Sequence, residues 1–150
     1  MTITRTSSSP GLPGGYPFSL ACEADGVCFI SGMPSLDPEG TFWPGTFDEE
    51  RDRAWHNVVA IAEAAGFSTG EFLYVQCVVA DIGDYSAIND WWRLQFPDVS
   101  TAPARFTFQA GALPFGAKIE IQASLPAAER GGPTGFPDAD RPHLPLRCRS

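Results

Sequence analysis

The run Phe72-Leu73-Tyr74-Val75-Gln76-Cys77-Val78-Val79-Ala80 constrains the fold most. It is rich in β-branched and aromatic residues and carries one polar side chain. It is too short to cross a membrane and lacks helical periodicity. An apolar run without alternation predicts a strand covered on both faces. A chain containing it must therefore build a sheet with a layer on each side.

One of those layers is visible in the sequence. Thr46-Phe47-Asp48-Glu49 has the spacing of a capping box. Phe47, Ala54, Val58, Ile61 and Ala65 follow as an apolar stripe at helical period, and Gly66 is a natural stop. A second helix is predicted over Asp84 to Phe96, ended by Pro97. Phe18 to Ala24 and Val27 to Ser31 read as strands joined at Asp25-Gly26, a hairpin turn pair. A short edge strand is expected near Thr41 to Trp43, and two more strands at Ala104 to Phe108 and Lys118 to Gln122. The order β-β-(β)-α-β-α-β-β predicts an α+β domain with a mixed sheet of four to six strands and two helices on one face. Nothing in the chain is left to cover the other face, which points to another subunit.

A chain of 150 residues holds one domain with a real core. Residues 1–15 and those after about Ala127 are rich in Pro, Gly, Ser or Arg and read as flexible segments around a domain over 16–126. The net charge of -8 and the scatter of the ten basic residues exclude a nucleic-acid surface. No apolar run approaches the ~18 residues of a membrane span. Met1 to Ser9 lacks the apolar stretch of a secretion signal, so a cytoplasmic location is expected. Cys22, Cys28 and Cys77 sit in strand-like runs as small hydrophobes, and Cys148 lies in the tail. No Cys-x-x-Cys spacing suggests zinc. With only His56 and His143, neither a His-based metal site nor a nucleophile–His centre is supported.

The remaining chemistry centres on two charges. Arg105 lies in Ala104-Arg105-Phe106-Thr107-Phe108 and Glu120 in Lys118-Ile119-Glu120-Ile121-Gln122. If the Gly- and Pro-rich loop 110–116 closes a symmetric hairpin, the two fall nearly opposite on one face. They are then either a structural ion pair or a device that holds a carboxylate and moves a proton. Trp91 and Trp92 read as packing residues, and Asp48-Glu49-Glu50 as charges suited to a helix N-terminus.

Tyr16-Pro17-Phe18-Ser19-Leu20-Ala21 and Val27-Cys28-Phe29-Ile30-Ser31-Gly32 resemble the opening of the reactive intermediate deaminase (Rid, also called YjgF) family. The helix ending Glu63-Ala64-Ala65-Gly66 is similar too, as are Asp84-Tyr85-Ser86-Ala87-Ile88-Asn89, Pro103-Ala104-Arg105, Leu113-Pro114 and Ile119-Glu120-Ile121-Gln122-Ala123. The likeness runs in order over residues 16–125. It implies a chorismate-mutase-like fold and a homotrimer with clefts between subunits. It also implies hydrolysis of reactive enamines and imines such as 2-aminoacrylate and related 2-imino acids, without metal or organic cofactor. By resemblance Arg105 binds the substrate carboxylate and Glu120 is the acid near the attacking water. Ser31, Gly32 and Asn89 match pocket positions, and Thr107 stands where members carry Cys, Thr or Val.

The chain departs from the family pattern at Phe18, where many active members have Tyr, and at Phe106, where Ser or Thr is frequent. With the Trp pair, these substitutions open an alternative: a specialised member acting on a bulkier imine or enamine. A non-catalytic ligand-binding protein of the same fold is the other alternative, disfavoured by retention of both Arg105 and Glu120. Ribonuclease activity, also attached to the family, is disfavoured by the acidic charge and the lack of a core histidine.

Overall fold

The computed structural model describes residues 1–67 and 70–126. The tail after Ala127, read above as flexible, lies outside the described residues. Among the described residues six strands form one sheet: β1 (Thr4–Thr6), β2 (Ala21–Ala24), β3 (Val27–Met33), β4 (Tyr74–Val79), β5 (Ala104–Gln109) and β6 (Ile119–Pro126). Their spatial order is β1-β2-β3-β6-β4-β5. All neighbours are antiparallel except β4 and β5, which run parallel. Parallel neighbours need a crossover, and the helix α2 (Tyr85–Gln95) supplies it. The longer helix α1 (Phe47–Ala64) joins β3 to β4.

Local chemistry accounts for these elements. Asp25 and Gly26 have φ of 49° and 80°, so the β2–β3 turn is of the type that matches strand twist. Thr46 opens α1 with both halves of the capping box: Glu49 N–H donates to Thr46 Oγ1 at 3.3 Å, and Thr46 N–H donates to Glu49 Oε2 at 2.8 Å. Gly66, at φ 85°, closes the helix. Ala54, Val58 and Ile61 of α1 and Ile88 and Trp91 of α2 enter one core with Ile30, Val75, Cys77, Val79, Ile119 and Ile121. Both helices thus serve one face of the sheet. Among the described residues no helix is long and apolar enough to cross a membrane.

The structure differs from expectation at four places. Residues 1–15, read as a loose segment, contribute β1 and bury Leu12 in the core. The strand expected from Phe18 begins only at Ala21. Thr41 to Trp43 forms no strand, only an isolated bridge between Leu36 and Phe42. The fourth difference decides the site: β5 and β6 do not pair, because β4 lies between them. Both edges of β6 are already taken by β3 and β4, which leaves β5 at the sheet edge.

Candidate functional site

With β4 as ruler, the positions of Arg105 and Glu120 follow from strand parity. Arg105 is in register with Val75, and Glu120 with Val78. Positions three apart on a strand point to opposite faces. Val75 is buried in the core, and so are Ile119 and Ile121 on either side of Glu120. Arg105 therefore stands on the helix side and Glu120 on the other. The symmetric hairpin with both charges on one face is not formed, and neither is their ion pair.

The first half-site surrounds Arg105. Its Nη2 donates to Asn89 Oδ1 at 2.6 Å and to the Tyr85 hydroxyl at 3.4 Å. Its guanidinium also lies 5.0 Å from the Trp92 ring centroid and 5.6 Å from that of Tyr85. Tyr85, Asn89 and Trp92 are spaced i, i+4, i+7 on α2, so one helical stripe clasps the cation. Among the described residues no carboxylate is within ion-pair distance of Arg105. The guanidinium is oriented by neutral groups. Thr107, two residues along on the same side, has a buried Oγ1 without a hydrogen-bond partner among the described residues. A buried hydroxyl is costly to leave unpaired. Cys77 is in register with Thr107, but burial raises its thiol pKa to about 11, against the lowering effect of Arg105. It is protonated at neutral pH and supplies no nucleophile.

The second half-site surrounds Glu120. It is part-buried, and desolvation holds its carboxyl above the usual glutamate range. Its cavity, about 320 Å³, is bordered by Tyr16, Phe18, Gly32, Leu36, Pro114 and Phe115 among others. Gly32 is there because of a bulge. Ile30 pairs with Ala123 and Met33 with Ile121, so β3 fits one more residue than β6 into the interval. A Cβ on Gly32 would collide with Glu120 Oε1. A side chain there would displace the carboxylate rather than the fold. Ser31 is also in the bulge, and its hydroxyl donates to the Ser19 carbonyl at 2.8 Å, tying down the segment that carries Phe18. Phe18 is stacked on Tyr16 with centroids 5.4 Å apart.

Of the residues singled out from the sequence, Arg105, Asn89 and Thr107 gather on one side, and Glu120, Gly32, Ser31 and Phe18 on the other. Phe106, one of the bulkier-substrate signals, is outside both groups on the open sheet face. Trp91 is core packing, as expected, whereas Trp92 touches Arg105. Tyr85 and Trp92 were missed, although the helical spacing from Asn89 contains the signal. Phe115 was missed because only its backbone conformation, described below, marks it. Among the described residues no three His, Cys, Asp or Glu side chains are grouped to hold a metal ion.

This fold is shared by a class of small α+β proteins with solved members. The chain superimposes on the YjgF gene product of E. coli with a TM-score of 0.71 at 25% identity, covering 82% of this chain and 98% of that one. E. coli TdcF, solved with bound serine, gives a TM-score of 0.69 at 28% identity, covering 85% and 100%. The family model described as Endoribonuclease L-PSP matches residues 12–125. The chain belongs to this family, the reactive intermediate deaminase (Rid/YjgF) family. It is 37% identical over 122 residues to the 2-iminobutanoate/2-iminopropanoate deaminase of Capra hircus, covering 81% of this chain and 86% of that protein. It is 35% identical over 122 residues to a RutC family protein of Aquifex aeolicus, covering 81% and 96%.

Proposed function

We propose that this protein hydrolyses 2-imino acids and their enamine tautomers to 2-keto acids and ammonia, in a cleft formed between copies of the chain. The observation that carries the reading is Arg105, which has no ion-pair partner among the described residues and is oriented by Asn89, Tyr85 and Trp92. A planar guanidinium held this way suits a carboxylate, which accepts two parallel hydrogen bonds from it. The deaminase named in Capra hircus acts on such carboxylates, and TdcF was solved with the amino acid serine.

Arg105 and Glu120 of one copy face opposite ways, so a substrate touching both needs a second copy. The open sheet face supports that association, since it exposes Phe29 (57%) and Phe106 (54%). Covering them removes apolar area from water, at roughly 25 cal/mol per Å². We read the assembly as a homotrimer whose sites combine Arg105 of one subunit with Glu120 of the next.

In such a cleft Arg105 fixes the carboxylate and Thr107 Oγ1 has a partner available in the same ligand. The imine carbon then lies towards Glu120. Water adds to that carbon of the protonated imine as the C=N π bond breaks onto nitrogen, and the Glu120 carboxylate takes the water proton. Glu120 returns it to the amino nitrogen of the tetrahedral adduct, making it -NH3+. The C–N bond then breaks as the adduct hydroxyl passes its proton to Glu120 and becomes the keto oxygen, and the departing ammonia takes that proton from Glu120 to leave as ammonium. A carboxylate whose pKa is raised by desolvation takes up a proton more readily than an ordinary glutamate. The residues of the two half-sites supply every step.

The test follows keto-acid formation from 2-imino acids generated in situ by an amino-acid oxidase, against the uncatalysed rate. Acceleration by the wild type and its loss in Arg105→Ala are expected. No acceleration with any imino acid would overturn the reading.

A further inference from the structure

The Glu120 cavity contains a feature that hydrolysis itself does not need. Phe115 has φ 63° and ψ 9°, left-handed backbone that disfavours any residue with a Cβ. Its ring is 71% exposed and stacks on Phe42, with centroids 5.8 Å apart and planes 19° from parallel. Pro114 on one side and Gly116, at φ 70°, on the other hold the turn. The strained backbone therefore presents an apolar ring to water at the mouth of a cavity. Strain of this kind is concentrated where function needs a particular side chain in place. Phe18, stacked on Tyr16, supplies a second aromatic border of the same cavity. The Tyr16 hydroxyl is turned to the Gly40 carbonyl, so among the described residues Glu120 is the one ionisable group bordering the cavity beside it. The volume of about 320 Å³ falls within the range of small-molecule sites.

We propose that Phe115 is a specificity-determining residue and that the site takes 2-imino acids with a large apolar or aromatic side chain. This rests on the deaminase reading above. With the carboxylate on Arg105 and the reacting carbon near Glu120, the substituent on that carbon meets the Phe18 and Phe115 rings. An aromatic substituent gains apolar burial and ring contacts there, whereas a methyl group reaches neither ring. Differences of this kind between side chains are worth about 10- to 200-fold in kcat/KM.

The experiment compares imino acids derived from phenylalanine and alanine, competed in one reaction, for wild type and Phe115→Gly. Glycine adopts this backbone without strain, so the variant keeps the turn and loses only the ring. Binding of phenylpyruvate and pyruvate, the corresponding products, is measured in parallel by calorimetry. The wild type is expected to favour the aromatic substrate by about tenfold, and Phe115→Gly to bring the ratio close to one. Preference for the small substrate, or a ratio unchanged in Phe115→Gly, overturns the inference and leaves the deaminase reading standing. Turnover of neither substrate, with phenylpyruvate binding weakened in Phe115→Gly, overturns the deaminase reading and supports the aromatic wall. Equal phenylpyruvate binding by both proteins overturns the wall in that case too.

Discussion

Arg105 and Glu120 are each shaped by neighbours that leave one function open. Arg105 is held by an amide oxygen, a phenol and an indole, none of which neutralises it. Its charge-assisted bonds to a carboxylate are worth about 1.5–3 kcal/mol each. Arg105→Ala, which removes two such bonds, should therefore lower kcat/KM by roughly 10²–10⁴-fold, with the melting temperature little changed, because the side chain is only part-buried. Steady-state kinetics and calorimetry check both halves of the expectation. Glu120 has a folded-state pKa raised by desolvation. Its base form is depleted at a higher pH than for an ordinary glutamate. The acid limb of the kcat/KM profile should lie above the usual glutamate range and vanish in Glu120→Gln. The same shift sets a stability trend. Below the unfolded pKa both states are protonated and there is no penalty. As pH rises through the folded pKa, the native state must ionise a desolvated group and loses stability. Glu120→Gln should raise the melting temperature at neutral pH and not at pH values below the ordinary glutamate pKa. An increase of equal size at both would show that packing, not ionisation, is responsible.

At the scale of elements, a buried carboxylate in α1 ties the loop before that helix to the residue preceding β6. Glu50 is fully buried and accepts from Gly45 N–H at 3.1 Å, Lys118 N–H at 2.8 Å and Lys118 Nζ at 3.1 Å. It joins the loop before α1 to the start of β6, two residues ahead of Glu120. Asp48-Glu49-Glu50 read from the sequence as one helix-terminal charge cluster, but each residue has its own task. Glu49 completes the capping box, and Asp48 pairs with Arg51. Glu50→Ala would strip acceptors from two backbone N–H groups and a lysine, at a cost of about 2–4 kcal/mol. Denaturant unfolding measures this, and a loss under ~1 kcal/mol would show that water replaces the carboxylate. Helix boundaries were legible because caps and stops are local chemistry. The β5–β6 pairing was not. Loop length and composition allow a hairpin equally well whether the strands touch or another strand lies between them.

For the whole molecule, the open aromatic face and the split site lead to one measurement. A trimer with shared clefts should regain activity when Arg105→Ala and Glu120→Gln chains are co-expressed. Random assembly at equal amounts gives one intact site in about four, hence about a quarter of wild-type turnover. A mixture as inactive as its components would place both residues in one chain's site or outside it. Light scattering at micromolar concentration gives the mass directly.

The sequence alone determined both helices, the strands β2 to β6, the Asp25-Gly26 turn, the α1 cap and the identity of the two charged residues, because each depends on neighbours within a few positions; β1 and the strand expected at Thr41 to Trp43 were misread. The resemblance over residues 16–125 added the family. Tertiary structure alone decided that Arg105 and Glu120 stand on opposite faces, that Tyr85 and Trp92 clasp the cation, and that a bulge brings Gly32 against the carboxylate. Strand order sets each of these. Inserting β4 between two strands that are neighbours in the sequence, with registers three residues apart, reverses which face a side chain meets, and no local pattern records it.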